Sequence, residues 1–153
     1  RILADEGKKL MPEGRQLHRG GTYLAMEGPA FSTRAESNLY RSWGCSVIGM
    51  TNHTEARLAK EAEIAYSSLS MVTDYDCWNQ NCENVSVDMV IENLQENANF
   101  AKSIISAAAK RISLSRPASP FHNSLKDALV TPKEHVPDMT KSKIKLFTNK
   151  YWD

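Results

Sequence analysis

The 153-residue chain is long enough for one domain with a hydrophobic core, and its 41% hydrophobic and 24% charged content is ordinary for a soluble globular protein. A formal net charge of +1 excludes an electrostatic preference for nucleic acid or anionic membrane, with Lys141, Lys143, Lys145 and Lys150 reading as a solvated C-terminal tail. No apolar run approaches the roughly 20 residues of a membrane span, and no segment has the make-up of a secretory signal.

Residues 1–11 read as an amphipathic helix already under way at Arg1, which suggests a fragment, a processed chain or one half of a split protein. Pro12 and Gly14 close it. "GGTYLAMEG" (Gly20 to Gly28) reads as a buried strand because Tyr23 to Met26 are almost continuously apolar. Gly28-Pro29 ends that strand. From Ser32 or Thr33 to Trp43, Ala35, Leu39 and Trp43 form a helical stripe, and Glu36 three residues after Thr33 completes a capping box. "CSVIGM" (Cys45 to Met50) is a second strand. "TEARLAKEAEI" is a helix of strong formers, with Glu55 placed for another cap.

"AYSSLSMVT" (Ala65 to Thr73) predicts a third strand that delivers Asp74 and Asp76 at its end. After a polar loop, Ser86 caps a long helix from about Val87 to Ile112. "LSRPASP" is a linker, Phe121 to Leu129 a short helix, and the rest to Asp153 reads as extended. The expected division is residues 1–130 as domain and 131–153 as extension or tail. Strands alternating with helices imply an α/β fold with a largely parallel sheet flanked by helices.

Ligands of such sheets bind beyond the carboxyl ends of the strands. Three ends therefore converge: Glu27 to Ser32, Met50 to Thr51, and Asp74 to Asp76. Asp74 and Asp76, two apart in extended chain, should share a face. Paired carboxyls raise at least one pKa, which suits a general acid. Ser32 could orient that acid, Phe31 offers an aromatic wall, and Met50 and Thr51 sit where free N–H groups suit an oxyanion or a sugar hydroxyl. The plainer alternatives stay open: "TDYD" as capping loop acids, Phe31 as core, Ser32 and Thr51 as helix caps. His18, His53, His122 and His135 pair with no Cys or acid, so no metal is expected. Cys45, Cys77 and Cys82 form no metal-type pair and read as reduced thiols of a cytoplasmic protein, with a Cys77–Cys82 redox pair as the alternative.

Three stretches together resemble the S-methyl-5'-thioadenosine phosphorylases of the trimeric purine nucleoside phosphorylase superfamily: "RGGTYLAMEGPAFSTRAESNLYRSWG", "VIGMTNHTEARLAKEAEI" and "MVTDYDCW…VSVDMVIENLQENANFAKS". They cover Arg19 to about Ser103. The resemblance implies phosphorolysis of methylthioadenosine to adenine and 5-methylthioribose 1-phosphate. Inorganic phosphate is the co-substrate, no cofactor is needed, and the enzyme is a homotrimer. Asp74 matches the residue that hydrogen-bonds or protonates purine N7, and Asp76 the acceptor from the 6-amino group. Phe31 matches the residue beside the base, and the Met50 backbone a sugar-hydroxyl contact. Thr51 matches a phosphate ligand, and Val87 and Val90 line the methylthio cavity.

Within the superfamily, 6-oxopurine enzymes carry Asn at the position of Asp74, Glu at that of Ser32 and His at that of Val87. An acceptor carboxylate facing the O6 lone pairs loses a hydrogen bond, a buried mismatch of about 1–3 kcal/mol. This chain's residues therefore point to adenine and to an apolar 5' substituent. Ala30 and "TNHTEA" depart from the usual pattern. The family's N-terminal half, with its phosphate loop, Arg-His pair and central strands, has no counterpart here. A companion N-terminal chain or fragment is therefore the expected partner. The alternatives are a non-catalytic nucleoside-binding fragment, or a phosphorylase for 6-aminopurine nucleosides such as adenosine.

Overall fold

Two short strands carry the sheet. In a computed structural model that describes residues 1–79 and 87–152, the side chains of 87–90, 92 and 93 excepted, β1 (Tyr23–Ala25) and β2 (Val47–Gly49) run parallel. Tyr23 lies opposite Val47 and Ala25 opposite Gly49. The Met26 N–H donates to the Gly49 carbonyl and the Ser46 N–H to the Thr22 carbonyl, both at 2.8 Å, so pairing continues one residue past each end.

Between the strands runs α2 (Arg34–Ser42), which makes a βαβ unit. Its predicted capping box is present. The Glu36 N–H donates to Thr33 Oγ1 at 3.3 Å, and the Glu36 carboxylate accepts from the Thr33 N–H at 2.7 Å. The Thr33 N–H, and after it the Thr33 hydroxyl, which donates to the same carboxylate at 2.7 Å, hold the Glu36 carboxyl below its ordinary pKa. The helix stops in a Schellman turn: Cys45 N–H donates to Tyr40 O and Gly44 N–H to Arg41 O. Gly44 takes φ +78°, a conformation without penalty only for glycine.

Helix α1 (Ile2–Leu10) packs on α4 (Val87–Ser115). Gly7 permits the approach, since a Cβ there would meet Leu17 Cδ1 at 3.4 Å and Ile104 Cδ1 at 3.6 Å. Ile104, 1% exposed, and buried Ala108 form the apolar centre of this contact. Its rim is ionic: Arg111 donates to Glu6 at 2.9 Å and Asp5 at 3.2 Å, Arg19 to Asp5 at 2.8 Å, and Lys9 to Glu6 at 2.9 Å. The Arg19 bond, then Arg111, depresses the Asp5 carboxyl; the Lys9 bond, then Arg111, depresses that of Glu6.

The chain divides into two units, residues 1–53 with 68–116 and residues 54–67 with 117–153. Helix α3 (Asn52–Glu61) runs from the first into the second. In the second unit Glu63, at φ +56°, receives the Leu125 N–H at 3.0 Å, Lys150 Nζ at 3.0 Å and the Tyr151 hydroxyl. The Tyr151 bond is the main cause lowering the Glu63 pKa, against burial that raises it.

A carboxyl depressed in the folded state adds stability above its unfolded-state pKa and loses it as pH falls through the folded-state value. Asp5, Glu6, Glu36 and Glu63 all act in this sense. The melting temperature, followed by circular dichroism, is therefore expected to fall once the pH drops below about 4.5. A level melting temperature from pH 6 to pH 3 would contradict the ion-paired rim.

Three predicted elements differ. Residues 65–73 form no strand. Burial still alternates from Leu69 to Asp74, as in extended chain, but a strand needs a hydrogen-bonding neighbour, and among the described residues β1 and β2 pair only with each other. The Val72 carbonyl instead accepts from the Asn97 side-chain amide at 3.2 Å. The stretch expected to be extended near the C-terminus holds α5 (Asp138–Trp152). Ile144, Thr148 and Tyr151 give it one inward face at helical spacing, which the surrounding lysines obscure in the sequence. The turn expected as a helix from Phe121 is a short 3-10 segment, Pro120–Asn123. The expected Ser86 cap lies outside the described residues.

Candidate functional site

The β1 exit is a turn that only glycine fits well. Gly28 takes φ +70°, and a Cβ on it would lie 3.1 Å from Met50 Sδ, so the ends of β1 and β2 touch. Gly28→Ala is expected to destabilise the chain by about 1–2 kcal/mol, read as a lower urea midpoint. An unchanged midpoint would mean that this corner is not strained.

The loop after Thr73 closes on the β1 exit from the other side. The Cys77 thiol donates to the Ser32 carbonyl at 3.3 Å. Asp76 Oδ2 accepts from the Ser37 hydroxyl at 2.6 Å, and Asp76 Oδ1 from the Cys77 N–H at 2.8 Å. Both of these partners donate, so the Asp76 carboxylate is held as an acceptor with lone pairs left over. Asp74 is exposed and accepts from the Thr73 hydroxyl at 2.7 Å. The Arg41 guanidinium stacks 3.6 Å over the Trp78 ring, and Tyr75 meets that ring edge-on at 5.6 Å, which braces the loop against α2.

The ends of β1 and β2 meet at Gly28 and Met50, and the loop carrying Asp76 joins them through Cys77, although no strand delivers it. Asp74 and Asp76 are each held by a different neighbour. The hydroxyl on Asp76 belongs to Ser37, while Ser32 Oγ donates to Met26 Sδ at 3.2 Å. The reason is position. Ser32 precedes the Thr33 cap and folds back on β1, whereas Ser37 lies in the first turn of α2, facing inward and 1% exposed. Phe31 stands 86% exposed, with the exposed Met50 and Thr51 at the neighbouring strand end. Val87 and Val90 fall in the first turn of α4, and their side chains lie outside the described residues.

Sequence reasoning passed over Ser37 and Asn97. Buried Asn97 accepts from Arg15 at 2.9 Å while donating to Val72 O, and so fixes the segment that leads to Asp74. Its signal was available: an amide in helical phase with Ile104, Ala108 and Arg111 interrupts the buried face of α4. Ser37 carried no such signal.

The Asp76 carboxylate keeps acceptor capacity that suits an amino or ring N–H, and Phe31 on the β1 exit presents an exposed aromatic face. The family model of the "Phosphorylase superfamily" matches residues 3–110. The S-methyl-5'-thioadenosine phosphorylase of Prochlorococcus marinus is 68% identical over 152 residues, 99% of this chain and 48% of its own length. That of Geobacter sulfurreducens is 52% identical over 98% of this chain and 52% of its own length. A crystal structure of a methylthioadenosine phosphorylase from an antarctic soil metagenomic library superposes with a TM-score of 0.89 at 44% identity, over 95% of this chain and 51% of that one. The Schistosoma mansoni methylthioadenosine phosphorylase in complex with adenine gives 0.61 at 33% identity, over 73% of this chain and 44% of that one. The chain spans about half the length of the curated relatives that it matches, and it belongs to the phosphorylase superfamily.

Proposed function

We propose that the chain is the purine-holding half of an S-methyl-5'-thioadenosine phosphorylase, active together with a companion polypeptide that supplies the remaining half. The observation that carries this reading is 68% identity across 99% of the chain to a relative of that name. The gathered loops of Phe31, Asp74 and Asp76 agree with it.

In this reading a phosphate oxygen forms a bond to the anomeric carbon of methylthioadenosine as the bond from that carbon to the purine nitrogen breaks. The electron pair of the broken bond passes into the purine. Asp74 donates a proton or hydrogen bond to N7, which stabilises the departing base. Asp76, already fixed by Ser37 and Cys77, accepts from the 6-amino group and so selects adenine. Phe31 covers the base, the Met50 backbone meets a sugar hydroxyl, and Thr51 meets phosphate. Val87 and Val90 wall the methylthio group. Phosphate is consumed as co-substrate, and no cofactor takes part. The products, adenine and 5-methylthioribose 1-phosphate, suit purine and methionine salvage in the cytoplasm, carried out by a homotrimer.

A phosphorylase that also takes adenosine is a second reading. Schistosoma mansoni neighbours of about 32% identity are described as adenosine/methylthioadenosine phosphorylases, which supports it. The test is adenine release from each nucleoside, with and without phosphate, by the chain combined with its companion. Phosphate-dependent release favouring the thioether is expected. Release that ignores phosphate, or tight binding of methylthioadenosine without turnover, would replace the enzyme with a binding protein.

A further inference from the structure

Helix α2 meets the loop that follows Thr73 at two points. Ser37 and Arg41 stand four residues apart, on one face of the helix and about 6 Å apart along its axis. The Ser37 hydroxyl donates to Asp76 Oδ2 at 2.6 Å, and the Arg41 guanidinium stacks on Trp78. A turn closed by the Asn79 N–H on the Asp76 carbonyl, at 3.1 Å, presents both loop residues to that face. The two ties differ in kind. Arg41 is exposed and grips the loop beside Asp76, whereas Ser37 is 1% exposed and bonds the carboxylate itself.

We infer that Ser37 is a positioning residue: by fixing the Asp76 carboxylate it sets the preference for a 6-amino over a 6-oxo purine. The inference rests on the phosphorylase reading above, in which Asp76 accepts from the 6-amino group. A 6-amino group donates where a 6-oxo group accepts. Lone pairs held in one direction therefore reward the first and repel the second, and specificity is the difference between those two energies. A carboxylate free to turn could swing away from a 6-oxo group and admit water, which would erase much of that difference. Asp76 is not free to turn. Oδ1 takes the Cys77 N–H at 2.8 Å and Oδ2 the Ser37 hydroxyl, so rotation breaks one bond or the other. The Cys77 bond comes from the next peptide and moves with the loop, whereas the Ser37 bond crosses 39 residues and ties the carboxylate to α2. Its 2.6 Å length lies in the range of roughly 2.5–2.7 Å that marks a hydroxyl donating to a charged acceptor. At 1% exposure of Ser37, water has no access to replace a lost hydroxyl.

The test compares adenine with hypoxanthine in the chain combined with its companion, by calorimetric affinity and by release from the matching methylthio nucleosides. Ser37→Ala should shrink the preference for adenine by roughly 10–100-fold, the usual reach of a hydrogen bond to a charged group. Ser37→Cys, close in size but a weaker donor, should fall between that variant and the parent. Arg41→Ala loosens the loop without touching Asp76, so it should weaken both bases alike and leave their ratio standing. In an Asp76→Ala background, Ser37→Ala should change the ratio by no more than about 2-fold, because the group it acts through is gone. Ser42→Ala is the control and should change nothing, since that hydroxyl bonds the Leu39 carbonyl of its own helix. Helical circular dichroism of each variant reports whether it still folds, and the cysteine variant carries the test if the alanine variant does not.

A folded Ser37 variant with the parent's preference would overturn the assignment. So would equal weakening of both bases, as a purely structural tie gives, or a preference lost as fully in Arg41→Ala. Independent effects of Ser37→Ala and Asp76→Ala on the ratio would do the same. The inference and the reading beneath it fail separately. Adenine bound with a preference that depends on Ser37, but never released, keeps the positioning residue and removes the enzyme. Adenine released with a ratio indifferent to Ser37 does the reverse. An assembly that neither binds nor releases adenine removes both.

Discussion

Asp74→Ala, in the chain combined with its companion, is expected to slow phosphate-dependent release of adenine by about 10²–10⁴-fold, the usual contribution of a general acid. The loss should appear in kcat more than in KM, because the proton is needed as the base departs and not while it binds. Asp74→Asn tests the same group more narrowly. The amide can still donate to N7 but has no proton to give up, so adenine release should fall while relative turnover of 6-oxopurine nucleosides rises. A buried hydrogen-bond mismatch of about 1–3 kcal/mol sets the size of that change in preference. Full activity in Asp74→Ala would remove the proposed acid. The exposure of Asp74 agrees with a group that meets its ligand directly, while Asp76 is already tied to α2.

Ile104→Ala is expected to cost the fold about 2–5 kcal/mol, and Ile104→Val about 0.5–1.5 kcal/mol, as a buried side chain loses contacts and leaves a cavity. The side chain packs against Gly7 of α1 and is 1% exposed, so little around it can collapse into the space. Urea unfolding followed by helical circular dichroism reads both variants. An alanine variant as stable as the parent would show that α1 and α4 do not share a core.

Local signals were read well because the interactions behind them are local. The capping box of Thr33 and Glu36 needs only residues three apart, and it forms as expected. The two strands with α2 between them follow from an apolar run, a Gly-Pro corner and a helical stripe, and they pair in parallel. The stretch from Ala65 to Thr73 was misread for the opposite reason. Its alternation is real, but alternation specifies a face and not a partner, and no ladder forms on it among the described residues. Helix α5 was missed because its lysines dominate composition while only a few residues turn inward.

The sequence alone determined which residues follow β1 and β2 at their carboxyl ends, because the order of apolar runs and turns sets where each of those loops emerges. It also determined family membership, through near-continuous likeness from Arg19 to Ser103. Tertiary structure decided which groups touch there. Ser37 holds Asp76 and Asn97 holds Val72, across 39 and 25 residues of chain respectively. A hydrogen bond between residues so far apart depends on how helices are set against loops, and no local pattern of residues encodes that distance.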